Sequence, residues 1–582
     1  MIDPTLPQLL LIRVTILFFQ AIPLLSALHT FHSILALLLS NPLLLPRGPL
    51  LLNLYTGLET LHLLYLHLHH LPRLQAPAVH PPLRSRAERQ ALFQKVLTEI
   101  PDPEAYVRGW FRWPEKLDCI GREDLGEFIG WAVFEGRVPE GAEGREEVEG
   151  YVRAVERLLA GRGGKGKGFA FREGRGRSAG LRLTLERVGF GGWVGGGRSL
   201  LWSGIVGLVD AVTAARMRMM GYGFWRRSVR AGWWGWVPRV WPLRAWVLLP
   251  EWVRGGGMSR AEGLGYWYRR HTSKRRLPVV FIHGIGVGLH PHVEFLRELD
   301  ERLNGRSKKS GIDHGYNDRD DGDDGEVGIL ALEVLPISSR LTAPILRRED
   351  FLHQITQVLD SHAPHFSRFV LASHSYGSVL STHIFSHPPL AERLSALLFI
   401  DPVSILLHLP DVAYNFTARP PQTANEWQLW FFASKDPGVA WTLGRHFFWS
   451  ENVLWREDLE KFVTERKGRC TVALASRDLI VDTETVGRYL IGGNHGGLGH
   501  VTRRLQEGGR EEKSKPNGIR QRHTRNEQSE IVAVGDEWKK KEWKGRGIEV
   551  MWFEDIDHAQ VFDTLQTREE LINVLDEYSR GE

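Results

Sequence analysis

The sequence predicts an α/β fold: a mostly parallel, doubly wound sheet preceded by an N-terminal helical and membrane-associated region. Three observations carry that prediction. From about residue 263 onward, short apolar runs alternate with helical segments, as in βαβ units with helices on both faces of a sheet. Ahead of them, residues 87–160 repeat apolar side chains at the helical spacings of three and four. Residues 1–72 are crowded with leucine.

Composition bounds what the chain can be. At 582 residues it has room for about four average domains. The net charge, +5 at pH 7, is small for that length and says little about nucleic acid. Cys119 and Cys470 are the two cysteines, far apart. They exclude a disulfide scaffold and a paired-cysteine metal site, and they fit a reducing compartment. Tryptophan is abundant, at 21 residues.

The N-terminal runs, residues 9–39 and 50–68, reach roughly the 20 residues that cross a bilayer. Neither is clean. The first carries Arg13, Gln20, Pro23, His29 and His32; the second carries Asn53, Glu59, His62 and His67. Two spans, one span with an interfacial helix, and a hairpin buried in protein all fit. Residues 1–72 are expected to anchor the chain to a membrane. A secretory leader is not expected, since the run is too long and lacks a small-residue cleavage site. Arg73, Arg84, Arg86 and Arg89 follow the second run, against Arg47 alone in the connecting loop. The positive-inside rule then puts the downstream domain in the cytoplasm.

Next comes the helical region, 87–160, and then a Gly/Arg-rich low-complexity segment, 161–197. The latter reads as a surface loop, although its composition would also suit RNA or anionic lipid. It lacks an aromatic-basic fold motif, so nucleic acid is not an expected partner. Residues 198–262 form a Trp-rich amphipathic or interfacial region. Its first part, 200–215, is short for a span and is interrupted by Asp210. Its tryptophans suit either a membrane-water boundary or a buried packing surface.

Residues 263–582 make the sheet-forming domain, with charged insertions at about 305–326 and 492–544. Strands are expected in "LGYWYRRHTS", "LPVVFIHGIG", "VGILALEVLPIS", "RFVLASHS", "ALLFIDPVS", "CTVALASRDLIV" and "GIEVMWFEDID". Between Asp401 and Cys470 the chain leaves the sheet, giving a cap at about 402–469 rich in Phe and Trp. Such a cap would wall an apolar pocket. It holds the glycosylation sequon Asn415-Phe416-Thr417, which matters only if the domain faces a lumen.

In a doubly wound sheet, ligands gather beyond the carboxyl ends of the strands. The residues expected there are His283-Gly284-Ile285-Gly286, Ser375, Asp401, Asp478 and His558. "SHSYG", between an apolar strand and a helix, puts Ser375 on a sharp turn flanked by the small residues Ser373 and Gly377. A serine nucleophile needs a base, an orienting acid and an oxyanion site. His558 supplies the base. Asp478, immediately past a strand, supplies the acid, while Asp482 reads as the N-cap of the next helix. Backbone N–H groups of Gly284, Ile285 and Tyr376 would form the oxyanion hole. His283 reads as a structural residue of that loop. The cluster of His283, His290 and His292 has no acidic ligand at a suitable spacing, so neither metal nor cofactor is expected.

Gly284 in "HGIG", Ser375 in "SHSYG", Asp478 in "SRDLIV" and His558 in "DIDHAQVF" together resemble the α/β-hydrolase superfamily, over about residues 263–582. Ser373 departs from the pattern, which has glycine there. The whole layout is similar to large fungal membrane-associated α/β-hydrolases. The resemblance implies the α/β-hydrolase fold and cleavage of an ester, thioester or amide through an acyl-enzyme. With an aromatic cap and a membrane anchor, an apolar acyl ester and membrane lipids are the expected partners. Serine at the elbow disfavours a nucleophilic aspartate. The alternative is a catalytically inactive hydrolase fold serving as a membrane-bound interaction protein. Acyl-chain length and protein partners stay open.

Overall fold

The computed structural model describes residues 5–39, 49–162, 169–191, 198–225, 251–305, 325–492 and 536–581. Arg47, the centres of both charged insertions, the two ends of the Gly/Arg stretch and most of the tryptophan-dense stretch lie outside the described residues.

Eight strands are described: β1 (Gly223–Trp225), β2 (Gly265–Arg269), β3 (Val279–Ile282), β4 (Ile329–Glu333), β5 (Phe369–His374), β6 (Leu394–Ile400), β7 (Arg469–Ala475) and β8 (Ile548–Phe553). They form one sheet in the order β1-β2-β4-β3-β5-β6-β7-β8. β2 runs antiparallel to both its neighbours, and every other pairing from β4 to β8 is parallel. The sheet is therefore mixed. All seven expected strands are present. β1 has no sequence signature, because three residues are too few to show a period of two. It starts the sheet ahead of residue 263, where the change in composition suggests the domain begins.

The central strands are short aliphatic runs buried along their length, as a sheet covered on both faces requires. Successive residues feed different cores. Val280, Ile282, Leu371, Leu397 and Phe399 enter one; Val279, Phe281, Val370, Ala372 and Leu398 enter the other. Helix Gly377–Phe385 packs into the first core, and helices Val293–Leu303 and Leu565–Ser579 pack into the second.

Helices Arg86–Thr98, Pro103–Trp110, Arg122–Phe134 and Ala142–Arg162 precede the sheet and share an aromatic core around Trp110, Phe128 and Trp131. Their starts are written locally: Ser85 and Glu88 form a capping box, and Asp102 caps a helix with proline in its first turn. Residues 169–191 of the Gly/Arg segment run as a loop over the helical region, anchored at a few apolar positions. Phe171 and Leu181 are buried on the helical region, and the Leu181 N–H bonds the Trp110 carbonyl at 2.9 Å. Apolar residues set between the glycines and arginines supply the anchors that composition alone hides.

Three further helices are apolar: Leu6–Leu38, Leu50–Tyr65 and Leu200–Met219. The first and third are long and apolar enough to cross a membrane. The second has only 16 residues. Asp210 does not interrupt the third, because Arg340 pairs with it, Nε to Oδ2 at 2.9 Å. Buried Glu59 accepts from Tyr55 Oη at 2.8 Å and from the Leu200 N–H at 2.9 Å, which seats the third helix on the second. Ile12, Ile16 and Phe19 pack helix Leu6–Leu38 against Ala424 and Phe431. Much of the rest of that helix, including Leu10, Leu17, Leu28 and Leu38, is exposed.

Candidate active site

Ser375 ends up where the sequence places it, between β5 and helix Gly377–Phe385. Its φ of +52° lies in the left-handed region that non-glycine residues rarely adopt, so the turn is strained. Close approach explains the small residues around it. A Cβ on Gly377 would sit 2.3 Å from the Ile282 carbonyl oxygen, and one on Gly284 would sit 2.7 Å from Ser375 Cβ. Ser373 fills the leading position as a buried strand residue.

From Ser375 a chain of hydrogen bonds runs back through two loops. The Ser375 hydroxyl donates to His558 Nε2 at 2.8 Å. His558 Nδ1–H donates to Asp478 Oδ2 at 2.6 Å. Asp478 Oδ1 accepts from the N–H groups of Ile480 and Val481, at 2.7 and 2.9 Å. Those bonds hold the carboxylate still, and the carboxylate fixes the tautomer that leaves Nε2 free to accept. Asp482 is elsewhere: it caps helix Thr483–Leu490, accepting from the Thr485 N–H at 3.0 Å.

Gly284 and Ile285 lie over the serine on the loop after β3. His283 is fully buried and braces that loop, donating from Nδ1 to the Gly284 carbonyl at 2.8 Å and accepting the Val334 N–H at 3.0 Å. The Gly286 N–H bonds the Ile337 carbonyl at 3.1 Å. Among the described residues, the N–H groups of Ile285 and Tyr376 enter none of the backbone bonds of loops and turns. Both residues line a cavity with Ser375. The three histidines do not share one partner: the His292 ring lies 6.4 Å from that of His283, centroid to centroid, and His290 points to helix Leu200–Met219. His290 bonds Thr213 and His292 bonds His374, at 3.0 and 3.2 Å.

Asp401 is the residue to which sequence reasoning assigns no role. It lies just past β6 with φ +44°, buried. Its Oδ1 accepts the Ala475 N–H at 3.0 Å and its Oδ2 the Ala559 N–H at 2.9 Å. One side chain thus ties the end of β7 to the residue after His558. Its signal was its place at a strand end, shared with Asp478. Asp401, Asp478 and His558 bring their polar atoms within 4.8 Å of one another. Each of those four carboxylate oxygens already accepts a hydrogen bond.

The charges follow from that crowding. Burial raises the Asp401 carboxyl to about 7, against the pull of His558 and its two N–H donors. Burial opposes charge on His558 too, but Asp478 in contact, with Asp401 and Asp557 nearby, outweighs it and raises the imidazole. A base must be neutral to accept a proton, so kcat/KM should rise with pH through the His558 pKa. Asp401→Asn removes one of the carboxylates that favour the imidazolium. The rising limb of the pH profile should then move to lower pH by about one unit, the low end for a nearby charge. A limb that stays in place would show that Asp401 has no electrostatic hold on the base.

No family model and no curated protein matches the chain. Among solved structures it is similar to a bacterial membrane phospholipase A, with TM-score 0.32 and 13% identity over 65% of this chain and 94% of that one. It is also similar to carboxylesterase CesB from Bacillus subtilis, with TM-score 0.31 and 9% identity over 64% of this chain and 98% of that one. A third is naproxen esterase from Bacillus subtilis, with TM-score 0.30 and 10% identity over 54% of this chain and 89% of that one. Likeness of this degree carries no argument about the reaction.

Proposed function

We propose that this chain, whose elbow, acid and base resemble those of the α/β-hydrolase superfamily, is a membrane-associated serine hydrolase. It cleaves a carboxylic ester with an apolar acyl group through an acyl-enzyme on Ser375. The observation that carries the reading is the unbroken bond series from Asp478 through His558 to Ser375, opening on an apolar cavity.

The steps follow from the atoms. His558 Nε2 takes the Ser375 proton as Oγ attacks the ester carbonyl. The new C–O bond pushes an electron pair onto the carbonyl oxygen, which the N–H groups of Ile285 and Tyr376 receive. Collapse of this adduct breaks the ester C–O bond. The leaving alkoxide takes the proton from His558, and the acyl group stays on Ser375. Water then repeats the sequence with His558 as its base, and the free acid leaves. Asp478 keeps its proton count throughout, holding Nδ1–H and stabilising the transient imidazolium.

Membrane association is supported by the exposed leucines of helix Leu6–Leu38, an apolar face of the kind that marks contact with a membrane or a partner. The cytoplasm is the proposed side. Three of the arginines behind that orientation are ion-paired within the fold, Arg84 with Glu135, Arg86 with Glu143 and Arg89 with Glu147. Asn415 adds a separate support. Its side-chain N–H bonds the Ile480 carbonyl at 3.0 Å, beside the acid loop, where a glycan would break the packing.

The test is to label carbonate-washed membranes from cells expressing the chain with a fluorophosphonate, then map the adduct by mass spectrometry. The expected result is a labelled chain of 66.3 kDa in the pellet, modified on Ser375. A chain released by carbonate removes the membrane half of the reading. An unlabelled chain removes the hydrolase half and favours an interaction protein.

A further inference from the structure

The cavity over Ser375 has a wall that the bond-breaking chemistry does not require. On the catalytic side the cavity is bordered by Ser375, Tyr376 and Ile285. The excursion after β6 contributes Leu407, Phe416, Phe447 and Trp449. A further side comes from a part of the chain that precedes the sheet: Trp110, Trp131 and Leu183. Helix Pro103–Trp110 lies directly on the excursion, for a Cβ on Gly109 would come 2.4 Å from Pro410 Cγ.

The indole and threonine donors of this lining are already engaged. Trp110 Nε1–H donates to the His408 carbonyl at 3.2 Å, Trp131 Nε1–H to Thr184 Oγ1 at 3.1 Å, and Trp449 Nε1–H to the Ala132 carbonyl at 2.9 Å. Thr417 Oγ1–H donates to the Ala413 carbonyl at 2.6 Å. Away from the catalytic residues the cavity therefore presents carbon and ring faces. A hydroxyl or amide entering it would lose water and find no partner there. Three of those bonds hold the indoles in place, and the Trp110 and Trp131 rings brace each other at 5.4 Å between centroids.

We infer that the helical region ahead of the sheet is a working part of the substrate site: it closes an aliphatic acyl-chain pocket, and Leu183 and Trp131 set the longest chain that fits. This rests on Ser375 being the residue acylated. Leu183 is the position to change, because it is half-buried and tolerates either smaller or larger side chains better than a core indole.

The experiment measures kcat/KM of the full chain in detergent micelles for 4-nitrophenyl esters of straight-chain acids from acetate to palmitate. Wild type is compared with Leu183→Trp and Leu183→Ala, and fluorophosphonate labelling of Ser375 checks that each is folded. In Leu183→Trp the acetate ester should lose the least kcat/KM. The longest esters accepted by wild type should fall roughly 10–200-fold, the discrimination an apolar pocket gives per methylene. In Leu183→Ala the optimum should move to longer acids. The opposite shifts make each variant a control on the other if one folds poorly. Superimposable profiles in all three labelled proteins overturn the inference and leave the acyl-enzyme standing. Absence of labelling in wild type overturns both.

Discussion

Asparagine at position 478 is expected to lower kcat about 10⁴-fold, the loss that follows when a triad acid becomes an amide. The reason lies in which oxygen does what. Asp478 Oδ1 accepts two backbone N–H groups, so an asparagine there keeps its carbonyl on that side. Its NH₂ then faces His558 Nδ1, where the carboxylate now accepts at 2.6 Å. Two donors cannot share that bond. The imidazole must move its proton to Nε2, and Nε2 can no longer accept from Ser375. The fold should survive, since every backbone bond to residue 478 is retained. Asp482→Asn is the matched control: asparagine caps a helix as well as aspartate does, so kcat should not change. Dependence on Asp482 and indifference to Asp478, in kcat measured on the same ester, would invert the assignment of the acid.

Much of this site is legible in the sequence because its parts are local to strand ends. The elbow needs only an apolar strand, a tight turn and a helix, all within "FVLASHSYGSVLSTHIF". Asp478 and His558 follow from the ends of β7 and β8 in the same way. Asp401 shares that signature at the end of β6, yet its role depends on two distant N–H groups, those of Ala475 and Ala559. Nothing near it in the chain reports them. The same reason hides the cavity wall. Trp110 and Trp131 read as the core of a separate helical region, and in part they are. Their other faces meet residues hundreds of positions away, and periodicity carries no such information. Asp210 shows the reverse error: in the sequence it interrupts an apolar run, while Arg340, its partner in the fold, is far along the chain.

Three serines compete for the nucleophile's place, and their surroundings predict three different outcomes. Ser375→Ala should lower kcat about 10⁶-fold, as removal of a triad serine does. It should also abolish fluorophosphonate labelling and leave thermal stability nearly unchanged. Alanine is no more strained than serine at φ +52°, and the only side-chain bond lost is the one to His558. Ser378→Ala should behave in the opposite way. The Ser378 hydroxyl donates to the Ser375 carbonyl at 2.7 Å and accepts the Val403 and Ser404 N–H groups at 3.1 and 3.3 Å. Removing it strands buried donors, at a cost of about 1–3 kcal/mol each, so Tm falls while labelling persists. Ser373→Gly should retain labelling, because Ser373 sits within β5 and its buried hydroxyl has no hydrogen-bond partner among the described residues. Labelling and Tm therefore separate chemistry from architecture at positions five residues apart or fewer. If Ser375→Ala still labels, the bond to His558 is a structural one and the nucleophile is another residue. If Ser375→Ala and Ser378→Ala both lose labelling and stability together, the turn is too interdependent to assign by deletion. The mass of the adduct on the wild-type chain then decides which hydroxyl was acylated.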